Sequence, residues 1–146
     1  MVTAQHDSLA VVGGGPKALM ALAALDDALA ARPATRPLDV DLYDPAAAGA
    51  GRVWDPQQPP HLLLNLDASK VDFRCESVRF SYTEWEQAHF PEAMQGQAFP
   101  PRARMGGYLA WVLDRLADPS RLNLRRRLCR AEEVTQAPHG WLLRTP

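Results

Sequence analysis

The chain of 146 residues has 23% charged and 47% hydrophobic side chains and a formal net charge of −1, the balance of an ordinary globular domain. Near-neutrality excludes a general attraction to nucleic acid or an anionic membrane, and no run reaches the roughly 18 apolar residues of a membrane span. Two cysteines, Cys75 and Cys129, show neither C-x-x-C spacing nor a disulfide framework, and residues 1–8 lack the basic start of a secretory signal. The expectation is a soluble, cytoplasmic protein. Charge is uneven along the chain: residues 1–73 hold five basic and nine acidic side chains, residues 74–146 eleven and eight. That asymmetry suits docking of a partner or holding of a polyanionic cofactor.

Leu9-Ala-Val-Val12 is an apolar run without polar interruption, the pattern of a strand buried on both faces of a parallel sheet. Gly13-Gly14-Gly15 then turns the chain, Pro16 suits a first helical position, and Leu19, Leu22, Leu25 and Leu29 recur at helical spacing. Gly13-x-Gly15-x-x-Ala18 fits the dinucleotide fingerprint G-x-G-x-x-G/A. Gly13 lets the chain leave the strand sharply, Gly15 lets backbone approach a diphosphate, and Ala18 keeps helix and sheet close. The N–H groups and positive dipole end of the helix face the anion. Lys17 shares this turn as a solvated lysine, outside any P-loop spacing. The competing reading is a strand–helix turn that binds nothing.

The first helix is expected to end near Ala31, before Pro33. Leu38, Val40 and Leu42 alternate with polar residues up to Tyr43, a strand with one face more buried than the other, which completes a β-α-β unit with a right-handed crossover. Asp44 ends that strand 26 positions after Ala18; the fingerprint expects an acid about 20 residues on, placed to hydrogen-bond the ribose hydroxyls. A carboxylate there favours the adenosine half of FAD or NAD over NADP. The alternative is that Asp44-Pro45 only starts a turn.

From Pro45 to Pro60 the chain is rich in Pro, Gly, Ala and Gln, a loop long enough to be functional or disordered. Gly49-x-Gly51 with Arg52 suits close approach of a phosphate. Trp54 has two open readings, stacking on a planar ring or anchoring the loop. His61-Leu-Leu-Leu-Asn65 reads as a short buried segment, with His61 at its surface edge. Asn65 is either a turn residue or a contact to a heteroaromatic ligand. No histidine or cysteine pair lies at metal-ligand spacing, and no metal is expected.

Ser81-x-x-Glu84 has the form of a capping box opening a short helix. Phe99 to Arg104 reads as a rigid extended connector leading into a helix with Met105, Tyr108, Leu109, Val112, Leu113 and Leu116 on one face. Leu122 to Arg130, around Arg125-Arg126-Arg127, reads as a strand with a solvated basic face rather than a nucleic-acid patch. Segments 132–136 and 141–145 are expected to pair as a hairpin.

Taken together, Val-Val-Gly-Gly-Gly-Pro-Lys-Ala18, Asp44, Gly49-Ala-Gly-Arg-Val-Trp54, Leu-Leu-Leu-Asn65 and Phe99-Pro-Pro-Arg-Ala-Arg-Met-Gly-Gly-Tyr-Leu-Ala-Trp111 resemble the N-terminal half of FAD/NAD(P)-binding flavoproteins. These are related to flavin-dependent N-hydroxylases and Baeyer–Villiger-type monooxygenases. The resemblance implies an α/β, Rossmann-like three-layer fold with a parallel sheet, incomplete here, plus a C-terminal β-hairpin. It divides the chain into a nucleotide unit (1–44), a flavin-side loop (45–65), a helical insertion (66–120) and a strand and hairpin segment (121–146). Gly13, Gly14, Gly15, Pro16, Lys17 and Ala18 would hold the FAD diphosphate and Asp44 the adenosine ribose. Arg52, Val53, Trp54 and Asn65 would approach the flavin, with the connector 99–108 supporting that pocket. No catalytic acid or base is assigned.

In such flavoproteins the hairpin is followed by a strand ending in an Ala-Thr-Gly turn, then by the NAD(P)H-binding domain. The resemblance therefore implies a split subunit or a fragment of a flavin-dependent monooxygenase. It would act on a small molecule with NAD(P)H as co-substrate, be inactive alone, and associate with a second chain or with itself. The rival functions are a non-catalytic adenine-nucleotide-binding or scaffold module and, more weakly, an NAD-dependent dehydrogenase domain.

Overall fold

The computed structural model describes residues 8–32, 36–46, 49–92 and 98–146. Pro33, the expected helix stop, lies outside them, as do residues 1–7 and residues 47–48 of the glycine-rich loop. Three strands, β1 (Ser8–Val12), β2 (Leu38–Tyr43) and β3 (Leu122–Arg127), form a parallel sheet with β2 in the centre. Between them run α1 (Pro16–Ala31), a 3₁₀ turn at Ala68–Lys70, α2 (Tyr82–His89) and α3 (Arg102–Leu116). A separate antiparallel hairpin, β4 (Glu133–Ala137) and β5 (Gly140–Arg144), follows. This is the expected incomplete Rossmann-like α/β fold with a C-terminal hairpin.

Alternation along β2 sets the layers. Val40 and Leu42 face the helices and are buried with Leu19 and Leu22 of α1, Leu122 of β3, and Tyr108, Leu109, Val112 and Leu113 of α3. The opposite face is polar, because its period-2 positions are charged. There Asp41 accepts from Arg125 at 2.9 Å and Arg127 at 2.8 Å, and Asn123 donates to Asp39 at 2.6 Å. The basic run on β3 is thus a cross-strand ladder on a solvated face. On α2, Ser81 Oγ accepts from the Glu84 N–H while the Glu84 carboxylate accepts from the Ser81 N–H at 2.8 Å, the reciprocal cap expected from sequence.

Three local expectations differ from the structure. The apolar run of β1 is not buried on both faces: Leu9 is 39% and Val12 56% exposed. The reason is position in the sheet, since β1 pairs only with β2 among the described residues and forms an edge. In the segment 61–65 only Leu64 is buried, whereas Leu62 and Leu63 are exposed, because this stretch runs along the surface and meets Pro101 in a single bridge. The connector also ends sooner than expected. Pro101, at φ −56° and ψ 137°, is the N-cap, and helix begins at Arg102. No helix among the described residues is long and apolar enough to cross a membrane.

One buried charge ties the far end of α1 to the rest. Asp26 has no exposed surface. Its carboxylate accepts from Arg121 Nε at 2.7 Å, from the Ser77 N–H at 2.7 Å and from Ser77 Oγ at 3.0 Å. Burial alone would raise its pKa, but Arg121 and Ser77 together hold it below the ordinary aspartate value. A carboxyl with a lowered folded-state pKa stabilises the fold fully above its unfolded value and loses that contribution as pH falls through the folded value. D26A should therefore cost about 3 kcal/mol in urea unfolding at neutral pH, the scale for orphaning one partner of a buried pair. The gap to the wild type should shrink below the ordinary aspartate pKa, and a gap independent of pH would contradict this account.

Candidate functional site

The C-terminal ends of β1 and β2 meet the N-terminus of α1, and the glycine turn is built there. Gly13 leaves β1 at φ +93°, a conformation that disfavours any side chain, and donates to the Tyr43 carbonyl at 2.8 Å. The Gly14 N–H donates to Asp44 Oδ2 at 2.6 Å, and the other oxygen of Asp44 accepts from the Ala46 N–H at 2.8 Å. Asp44 is 8% exposed and so orders the turn itself. Gly15 caps α1 without any side-chain cap, and the first turn holds no acid. Among the described residues the N–H groups of Gly15 and Lys17 have no acceptor. Cβ atoms built on Gly13 and Gly15 would meet nothing within 4 Å. The turn is open, with unused donors at the positive end of a 16-residue helix, the arrangement that receives a diphosphate.

The loop after Asp44 folds back over this turn. The Gly49 N–H donates to the Gly14 carbonyl at 3.0 Å, and a Cβ on Gly51 would lie 3.3 Å from Gly15 Cα. On its other side the loop presses against α3, where a Cβ on Gly49 would come within 2.8 Å of the Leu109 carbonyl oxygen and one on Gly106 within 1.9 Å of the Trp54 carbonyl oxygen. Backbone-to-backbone packing on both flanks is why glycine stands at these positions.

Trp54 is half-buried and anchors the loop, with the Arg102 guanidinium 4.8 Å above its ring. It also lines an apolar cavity of about 220 Å³ with Pro16, Met20, Leu64, Phe73 and Met105. Gly13–Ala18, Asp44 and the 49–54 loop are therefore brought together. Arg52, Val53 and Asn65 are exposed, and among the described residues the side chains of Arg52 and Asn65 have no hydrogen-bond partner.

Sequence reading included Arg102 and Gly106 only as part of the connector 99–108 supporting the pocket and gave neither a role of its own. Their signal was local: a glycine inside an otherwise amphipathic helix marks close backbone approach, and an arginine at a helix start opposes the dipole. Elsewhere Asp26, Asp27 and Cys75 bring three ligand-type atoms within 4.8 Å. Those groups serve structure: Asp26 binds Arg121 and Ser77, Asp27 accepts from the Glu76 N–H at 2.8 Å, and burial pushes the Cys75 thiol up to about 11.

Comparison with known proteins gives a family match and several relatives. A family model described as FAD-NAD(P)-binding matches residues 10–146. An L-aspartate N-monooxygenase (nitrosuccinate-forming) of Streptomyces davaonensis is 32% identical over 79% of this chain and 21% of its own length. A nitrosuccinic acid synthase of Aspergillus oryzae is 32% identical over 92% of this chain and 22% of its own. An L-aspartate N-monooxygenase of Streptomyces cremeus is 30% identical over 89% of this chain and 24% of its own. The chain thus spans between a fifth and a quarter of the length of these relatives.

The close approaches give a paired prediction. G106A should cost about 1–3 kcal/mol in chemical denaturation, because its methyl overpacks fixed backbone and outweighs the helix-propensity gain. G107A should be neutral or stabilising by up to about 1 kcal/mol, since its Cβ would meet only the Trp85 ring at 3.4 Å. Equal effects at the two positions would contradict the packing described.

Proposed function

Because the chain belongs to the FAD-NAD(P)-binding family, we propose that it is the FAD-binding part of a flavin-dependent N-monooxygenase that uses NAD(P)H and acts on a small amino-acid substrate. The observation that carries this reading is the open glycine turn with the unengaged N–H groups of Gly15 and Lys17. The names of the relatives support the reaction class.

In this reading Gly13–Ala18 hold the diphosphate through backbone donors and the dipole of α1. Asp44 serves twice. It orders Gly14 through one oxygen and Ala46 through the other, and each carboxylate oxygen retains lone-pair capacity for a ribose hydroxyl. The apolar cavity beside Pro16 and Trp54 excludes water from a planar ring system. FAD, when bound, supplies the redox and oxygen-activating chemistry, while the chain positions it and shields it from water.

The NAD(P)H and substrate sites are proposed to lie on further polypeptide, either more of the same protein or a second chain. The edge of β1, unpaired among the described residues, and the hairpin, where Trp141 is 71% exposed, support that completion. A cytoplasmic location fits two unpaired thiols.

G15A is the direct test. Gly15 adopts φ −82°, open to any residue, and its Cβ meets only space. The variant should therefore unfold like the wild type, yet its methyl stands where a diphosphate must approach. FAD affinity by calorimetry should fall about tenfold or more, the scale of losing a charge-assisted hydrogen bond. A folded G15A with undiminished FAD affinity, or a wild type binding NAD in preference to FAD, would overturn the proposal.

A further inference from the structure

The first turn of α3 contains two arginines and no acid, although the positive end of a helix dipole disfavours cations. The two are treated differently. Arg104 is neutralised by Glu86 at 3.0 Å and lies over the Phe90 ring. Arg102 has no carboxylate partner among the described residues, and of the acids in the whole sequence only Asp7 lies outside them. Its Nε is buried without any acceptor, and a buried donor left unpaired is costly.

The side chain is nevertheless held in place. The Arg102 N–H donates to the Leu62 carbonyl at 2.7 Å, and the guanidinium rests 4.8 Å over Trp54, which Gly106 seats against α3. Arg52 and Lys17, also without a carboxylate partner among the described residues, are exposed and call for no such explanation. A fixed, planar, five-donor cation with an unused buried N–H matches one chemistry, an oxyanion that accepts two parallel hydrogen bonds.

We infer that Arg102, carried on Trp54 at the start of α3, is a binding residue for such an oxyanion, a carboxylate of the substrate or a phosphate of the cofactor. The inference rests on the flavoenzyme reading for the identity of those two sources, but not for the existence of the site. A stacking role alone would leave the Nε proton and the helix dipole unanswered.

The test compares wild type, R102Q and R102K in calorimetric titrations with FAD, inorganic phosphate and L-aspartate, with thermal unfolding run in parallel. R102Q should bind one of the three about tenfold more weakly or worse, the scale for a hydrogen bond to a charged group, while unfolding close to the wild type. Weakened FAD or phosphate identifies the cofactor as the source, and weakened L-aspartate identifies the substrate. R102K keeps charge and stem but loses the fork, so it should recover affinity only in part, and it carries the test if R102Q does not fold. Full affinity in R102Q for every probe the wild type binds overturns the inference and leaves the FAD reading standing. Arg102-dependent binding of phosphate or L-aspartate by a protein that ignores FAD keeps the inference and removes that reading. A wild type that binds none of the three overturns both.

Discussion

The hydrogen bond from the Gly14 N–H to the buried carboxylate of Asp44 joins the end of the central strand to the turn that opens the first helix. Much else is registered on it. The same carboxylate fixes Ala46, and the Gly14 carbonyl takes the Gly49 N–H, so the loop returns over the turn and is gripped on its far side by α3. With Gly14 committed to Asp44, the remaining donors at the helix start, Gly15 and Lys17, have no acceptor among the described residues. A carboxylate beside a helix N-terminus gains from the dipole, which favours burial of an acid there with no cationic partner among the described residues.

Much of this was legible in the sequence because local rules and tertiary context agree. The glycine fingerprint, Pro16 at the first helical position and the leucines of α1 each act within one turn, and the capping box of α2 is closed by residues three apart. The alternation of β2 and β3 also foretold which face would be polar. What sequence could not give was neighbourhood. The apolar run of β1 and the leucines 62 and 63 have core composition, but burial depends on what lies alongside: β1 is an edge strand, and Leu62 and Leu63 run along the surface. Proline geometry placed the start of α3 earlier than its apolar face suggested, since Pro101 already carries the capping conformation.

Within the candidate site the same division holds. Gly13, Gly15 and Asp44 announce themselves by spacing, and the structure brings them together. Arg102 and Gly106 carry only a local hint, residue types that a helix disfavours at those places, and their partner Trp54 lies some fifty residues earlier in the chain. The site is assembled from two layers of close backbone contact, with the 49–54 loop held between the glycine turn and α3. Such contact leaves no space for a methyl group at Gly49 or Gly106.

The central claim is that backbone donors at the start of α1 grip a diphosphate. Amide NMR on the isotopically labelled protein during titration with ADP addresses it residue by residue. The account predicts saturable shifts largest at Gly15 and Lys17, with the Gly14 amide remaining in its bond to Asp44. Shifts confined to other regions, or a spectrum unmoved by saturating ADP, would contradict it.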